Sequence, residues 1–75
     1  MKITIMMSTG DMIDIEVNRF DTFEDVCTKM IEQTKLTNIE KDKVFFSYYG
    51  KRLELEKSLS DYDIQDGEMI TALIL

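Results

Sequence analysis

The sequence predicts an α+β domain, a mixed sheet of four to five strands packed on one long helix with a short helical turn before the last strand. Three observations predict it. Apolar and polar residues alternate with period two at both ends of the chain, a single internal stretch carries apolar residues at helical spacing, and glycine-containing turn signals separate the segments. Segments of this kind bury their apolar faces most economically when the helix covers one face of the sheet. At 75 residues the chain has material for one layered core, so a single domain over residues 1–75 is expected.

Residues 1–7 place Met1, Ile3 and Ile5 on one face and Lys2, Thr4 and Met6 on the other, the mark of a strand. The turn cluster Ser8-Thr9-Gly10-Asp11 follows, with a glycine able to take positive φ. Beyond it Ile13, Ile15 and Val17 alternate with Met12, Asp14 and Glu16, so the first two strands form a hairpin. Asn18 to Thr22 breaks the alternation. Asp21 or Thr22 is placed to cap a helix, with Glu24 or Asp25 completing a capping box and suiting the positive end of the helix dipole. From there Phe23, Val26, Cys27, Met30, Ile31 and Thr34 fall on one helical face, running to about Lys35.

Leu36 to Lys43 reads as a polar connection, and the β-branched and aromatic run Val44 to Tyr49 reads as a third strand ending in a turn at Gly50-Lys51. Arg52-Leu53-Glu54 is long enough for a short return strand. Leu59 to Ile64 suggests a brief helical turn, Asp66-Gly67 a tight turn, and Met69 to Leu75 the last strand. The strands at the two chain ends are expected to pair side by side in the middle of the sheet.

Composition narrows the function. A hydrophobic fraction of 44% in ordered patterns opposes disorder even with 32% charged residues. Fifteen acidic against nine basic residues give a net charge of −6, which opposes a nucleic-acid partner. The absence of histidine removes the commonest general base and metal ligand, so an enzyme is not expected, nor a metal or cofactor. The lone Cys27 forms no internal disulfide, and no signal peptide or membrane span is read, which points to the cytoplasm or nucleus and to no membrane partner. A core this small leaves about 5 kcal/mol of net stability, too little for a deep strained cleft, so function is expected on the surface of a monomer.

Thr9-Gly10, Ile13 to Val17, Asp21-Thr22-Phe23-Glu24-Asp25-Val26, Gly50-Lys51-Arg52-Leu53-Glu54 and above all Leu59-Ser60-Asp61-Tyr62-Asp63-Ile64-Gln65 together resemble ubiquitin over the whole chain. About three extra residues fall between the helix and Val44. The resemblance implies the β-grasp fold. In the Leu59 to Gln65 run, Leu59 and Ile64 are expected to be buried and Tyr62 to pack inward and engage nearby backbone through its hydroxyl, which serves the scaffold more than a surface.

The functional surfaces depart from the family. Conjugated relatives end in a flexible Gly-Gly tail, whereas this chain stops at Leu73-Ile74-Leu75, so conjugation and sulfur carriage are not expected of it. The apolar patch that ubiquitin offers its receptors aligns with Ser8, Ser47, Thr71 and Leu73, of which only Leu73 is apolar. Receptors that insert into that patch are therefore expected to bind poorly.

A different patch is read in its place. Strand alternation that buries Phe46 turns Phe45 outward, onto a face shared with Leu73 and Leu75, with Met6 and Ser47 nearby and Lys51 and Arg52 as a basic rim. Tyr48 and Tyr49 read as strand fillers. Lys29 and Lys51 match lysines on which ubiquitin builds chains, a match ascribed to scaffold and exposure. The acidic series Asp61, Asp63, Asp66 and Glu68 reads as a solvated face. Cys27 falls on the apolar stripe of the helix, where a thiol acts as a small hydrophobe rather than a nucleophile or iron–sulfur ligand. The carboxylate spacings fit no calcium loop, and no phosphate loop or serine elbow occurs.

The function expected is a non-conjugating ubiquitin-like domain that docks protein partners, of the ubiquitin pathway or related to the proteasome, through its sheet face. The initiating Met1, which suits the buried face of the first strand, suggests the N-terminal module of a larger protein. Two alternatives stand: a conjugated modifier whose Gly-Gly tail is missing from the given sequence, and a small structural subunit of a larger complex.

Overall fold

Residues 1–35 and 39–75 are described by the computed structural model. In chain order they form strands β1 (Lys2–Met7) and β2 (Met12–Glu16), helix α1 (Phe23–Thr34), a 3₁₀ turn at Lys41–Lys43, strands β3 (Val44–Tyr48) and β4 (Lys51–Leu53), a second 3₁₀ turn at Ser60–Tyr62, and strand β5 (Met69–Ile74). The polar connection expected from Leu36 to Lys43 begins on Leu36, Thr37 and Asn38, which lie outside the described residues.

The five strands make one sheet in the order β2-β1-β5-β3-β4, in which β1 and β5 run parallel and the other neighbours antiparallel. The chain ends thus pair at the centre of the sheet, with Ile5 opposite Ile70 and Met7 opposite Ala72. Inward residues of each strand meet the helix stripe of Phe23, Val26, Cys27 and Met30 in a core that also takes in Leu59 and Ile64 from the loop before β5. Phe23 is wedged between Phe46 and Tyr62, with ring centroids 6.0 and 5.7 Å away. Truncating one such side chain to alanine costs about 3–5 kcal/mol, as much as a domain of this size has in hand.

Local signals explain the boundaries. Thr22 is the N-cap of α1: its hydroxyl accepts from the Asp25 amide while the Asp25 carboxylate accepts from the Thr22 amide, a complete capping box. Asp21, the other candidate cap, instead accepts from the Asn18 amide at 2.9 Å and the Lys29 ammonium at 2.8 Å. The helix closes at Lys35 in the left-handed region. Tyr62 does as expected, its hydroxyl accepting from the Glu54 amide at 3.1 Å.

The β3–β4 turn differs from expectation. Lys51 is the first residue of β4 and pairs with Tyr48, leaving Tyr49-Gly50 as a two-residue loop with φ of 51° and 77°. Two left-handed residues are what a type I′ hairpin turn requires, so Tyr49 leaves the strand and stands 89% exposed rather than filling it. The acidic series also has specific work. Asp61 accepts from the Ser58 amide, Asp66 from the Lys2 amide, Asp63 from the Gln65 side chain, and Glu68 from the Gln65 amide and the Tyr48 hydroxyl. These carboxylates pin the connection between β4 and β5 and tie it to β1 and β3.

Candidate docking face of the sheet

Opposite the helix, the sheet turns a bare face outward, and its register decides which side chains meet there. Phe45 pairs with Leu73 across β3 and β5, and Ser47 pairs with both Thr71 on β5 and Arg52 on β4. Met6 pairs with Thr71 from the other side and with Met12 beyond it. One transverse row therefore runs Met12, Met6, Thr71, Ser47, Arg52 across all five strands, and the next row carries Leu73 and Phe45.

Of the residues singled out in the sequence, Phe45, Ser47, Arg52, Leu73 and Leu75 line one shallow depression of about 380 Å³, together with Gly50 and Phe46. Leu73 and Leu75 are exposed, whereas Phe45 is half-buried. The reason is Arg52, whose guanidinium carbon lies 4.4 Å from the Phe45 ring centroid in a cation–π stack. Met6, half-buried, reaches this cluster only through Thr71. Lys51 does not join it: strand alternation sends it to the other side, where its ammonium lies 5.3 Å from the Tyr62 ring. The basic rim on this face is therefore Arg52 without Lys51.

The four positions aligned with the ubiquitin receptor patch also meet on this face. Ser47 and Thr71 are paired, Leu73 follows along β5, and the Ser8 hydroxyl accepts from the Ile74 amide at 3.1 Å. The patch is thus polar at its centre, and apolar character has moved toward β3 and the end of β5.

The free edge of β2 presents a contrast. The amides and carbonyls of Asp14 and Glu16 point away from β1, and helix side chains take up both carbonyls: Gln33 donates to the Asp14 carbonyl at 2.9 Å and Lys29 to the Glu16 carbonyl at 3.3 Å. Lys29, tied also to Asp21, has a structural occupation that accounts for its position.

Sequence reasoning passed over one exposed aromatic, Phe20, and read another, Tyr49, as a strand filler. Phe20 is 69% exposed on the β2–α1 loop, with the Arg19 guanidinium 5.0 Å from its centroid, and Tyr49 crowns the β3–β4 turn. The signal for each was positional: Phe20 sits in the break between two periodic segments, and Tyr49 precedes the turn glycine. Cys27 is fully buried, and desolvation pushes its thiol up from its ordinary pKa, in keeping with a core role. Among the described residues no cluster of three or more metal-ligating side chains occurs, and no helix is long and apolar enough to cross a membrane.

Sheet order, capping and the Leu59 to Gln65 run all agree with the ubiquitin resemblance, and comparison with protein families makes the relationship specific. The family model Rad60-SLD, described as ubiquitin-2 like Rad60 SUMO-like, matches residues 1–74. The chain therefore belongs to this family of ubiquitin-like, SUMO-like domains.

Proposed function

We propose that this ubiquitin-like module acts non-covalently, as part of a larger cytoplasmic or nuclear protein, holding protein partners of ubiquitin-like pathways on the outer face of its sheet. The observation that carries the reading is the pairing of Phe45 with Leu73, flanked by Leu75 and backed by Arg52, on a face with no covering element among the described residues. An aromatic held by a stacked guanidinium is pre-organised, so little rotamer entropy remains to be lost when a partner covers it. The blocked β2 carbonyls add support, because they leave the face better suited to docking than that edge.

The test is capture of partners from extract by the wild-type domain and by Phe45→Ala. Loss of the central contact is expected to weaken capture by about 2 kcal/mol, roughly thirtyfold. Unchanged capture would remove the face from consideration. Immunoblotting of the native polypeptide separates the modes of action. One discrete large species is expected, and a ladder of masses that collapses on isopeptidase treatment would show a conjugated modifier instead.

A further inference from the structure

A second depression lies beside the outer face, at the corner where β4 leaves β3, and its charge is acidic. We infer that this groove docks a short extended segment of a partner protein in which Lys or Arg alternates with aliphatic residues. The two strands are paired as far as Phe46 and Leu53, and beyond them a space of about 510 Å³ opens. Val44, Phe45, Leu53 and Leu55 give it an apolar lining, and Asp42, Glu54 and Glu56 give it three carboxylates. Its narrow end selects the form of the segment, because paired strands stand about 4.8 Å apart whereas a helix with its side chains is about 10 Å across. An extended chain alternates its side chains, so aliphatic residues turn onto Phe45 and Leu55 while the residues between them reach the carboxylates.

Charge identifies the occupant. Elsewhere the domain engages its acids internally. Asp61, Asp63, Asp66 and Glu68 accept hydrogen bonds around the connection to β5, as do Asp11, Asp14 and Asp25 in their own turns and strands. Asp21, Glu16 and Glu24 meet cations. Glu32, Glu40, Asp42, Glu54 and Glu56 are left with no such side-chain partner among the described residues, and three of these five line the groove. Covering unpaired carboxylates with an apolar chain costs desolvation, which an incoming cation offsets. Arg52 does not fill that role: it stands alone against three carboxylates, is stacked on the Phe45 ring, and enters none of the ion pairs among the described residues. The walls are also set in advance. The Leu55 carbonyl accepts from the Glu24 amide at 3.0 Å and the Glu54 amide donates to the Tyr62 hydroxyl at 3.1 Å, while across the groove the turn that carries Asp42 is closed by the Lys43 amide on the Glu40 carbonyl at 2.9 Å. A groove held in this way loses little freedom on binding, and the net charge of −6 draws a basic segment toward it.

The groove shares Phe45 and Arg52 with the outer face, so the test uses neither. A random peptide library is panned on the wild-type domain and on Glu56→Lys, Asp42→Lys, Glu32→Lys and Leu73→Ala, each checked for an unchanged thermal melt. Peptides held by the wild type and lost on the two groove variants are expected to alternate Lys or Arg with Val, Ile or Leu. Their affinity is expected to fall about tenfold or more on Glu56→Lys or Asp42→Lys. Glu32→Lys, which changes the net charge by the same amount away from the groove, is expected to leave them nearly unchanged. Leu73→Ala is expected to spare them too, which keeps this groove separable from the outer face: either can fail without the other. Equal weakening by Glu32→Lys would show attraction to net charge alone and overturn the groove. A selected pool with no basic–aliphatic alternation, or none that responds to Glu56→Lys and Asp42→Lys, would overturn it as well.

Discussion

Tyr48 and Glu68 show how one side-chain pair places the acidic loop. The Tyr48 hydroxyl donates to the Glu68 carboxylate, which also accepts from the Gln65 amide at 2.6 Å and so fastens the turn before β5 to β3. The bond to Tyr48, then the bond to Gln65, hold Glu68 below its ordinary pKa, and the carboxylate in turn pushes the phenol up to about 12. A lowered carboxylate pKa contributes stability above its unfolded value, lost as pH falls through the folded one. A raised phenol pKa contributes stability below about 10, lost as pH climbs toward 12. Asp61, held down by the Ser58 amide and hydroxyl, and Asp21, held down by the Asn18 amide and then by Lys29, add to the acid limb. Thermal melts are expected to fall as pH drops below about 4 and again above about 10. Glu68→Gln should remove the part of the alkaline fall due to Tyr48, leaving the part due to the buried Cys27 thiol and the part of the acid fall due to Asp21 and Asp61. An alkaline limb identical in the variant would show that the Tyr48–Glu68 bond does not form in solution.

Elements add what single residues cannot. Alternation in β3 was enough to place Phe45 opposite Phe46, but its partner depends on register: the antiparallel ladder to β5 sets Leu73 across from it, and the turn at Tyr49-Gly50 sets Arg52 beside Ser47. Had Gly50-Lys51 been the loop, Lys51 would not have paired with Tyr48, and the cation facing Phe45 would have changed. The edge of β2 is settled between elements too, since Gln33 and Lys29 reach it from successive turns of α1. An edge strand with free carbonyls invites pairing with another chain. The double variant Lys29→Ala/Gln33→Ala is expected to self-associate at high concentration, seen as a shift toward dimer in analytical ultracentrifugation. A double variant that stays monomeric would show that these side chains are not what keeps the edge closed.

For the whole molecule, one core joins both chain ends to the helix and to the Leu59 to Ile64 loop, so cooperative opening is the route to its interior. Cys27 reports on that opening. Fully buried, with its thiolate disfavoured by desolvation, it is expected to react with a thiol reagent at the global unfolding rate, faster in denaturant in step with the loss of helix signal. Reaction well ahead of unfolding would mean that α1 opens locally. The architecture was legible in the sequence because it rests on short-range rules: period two in Met1 to Val17 and Met69 to Leu75, a 3.6-residue stripe from Phe23, a capping box at Thr22, and the core-closing Leu59 to Gln65 run that resembles ubiquitin. Even the identity of the outward face could be read, since alternation determines sidedness residue by residue. What only the tertiary structure decided is pairing across long sequence separations: that Arg52 rather than Lys51 stacks on Phe45, that Tyr49 leaves its strand for a left-handed turn, and that the acids near Asp61 and Glu68 bind loop backbone. The physical reason is that local periodicity fixes which side of an element a residue occupies, whereas its neighbours depend on register and turn geometry, where a shift of one residue exchanges every contact.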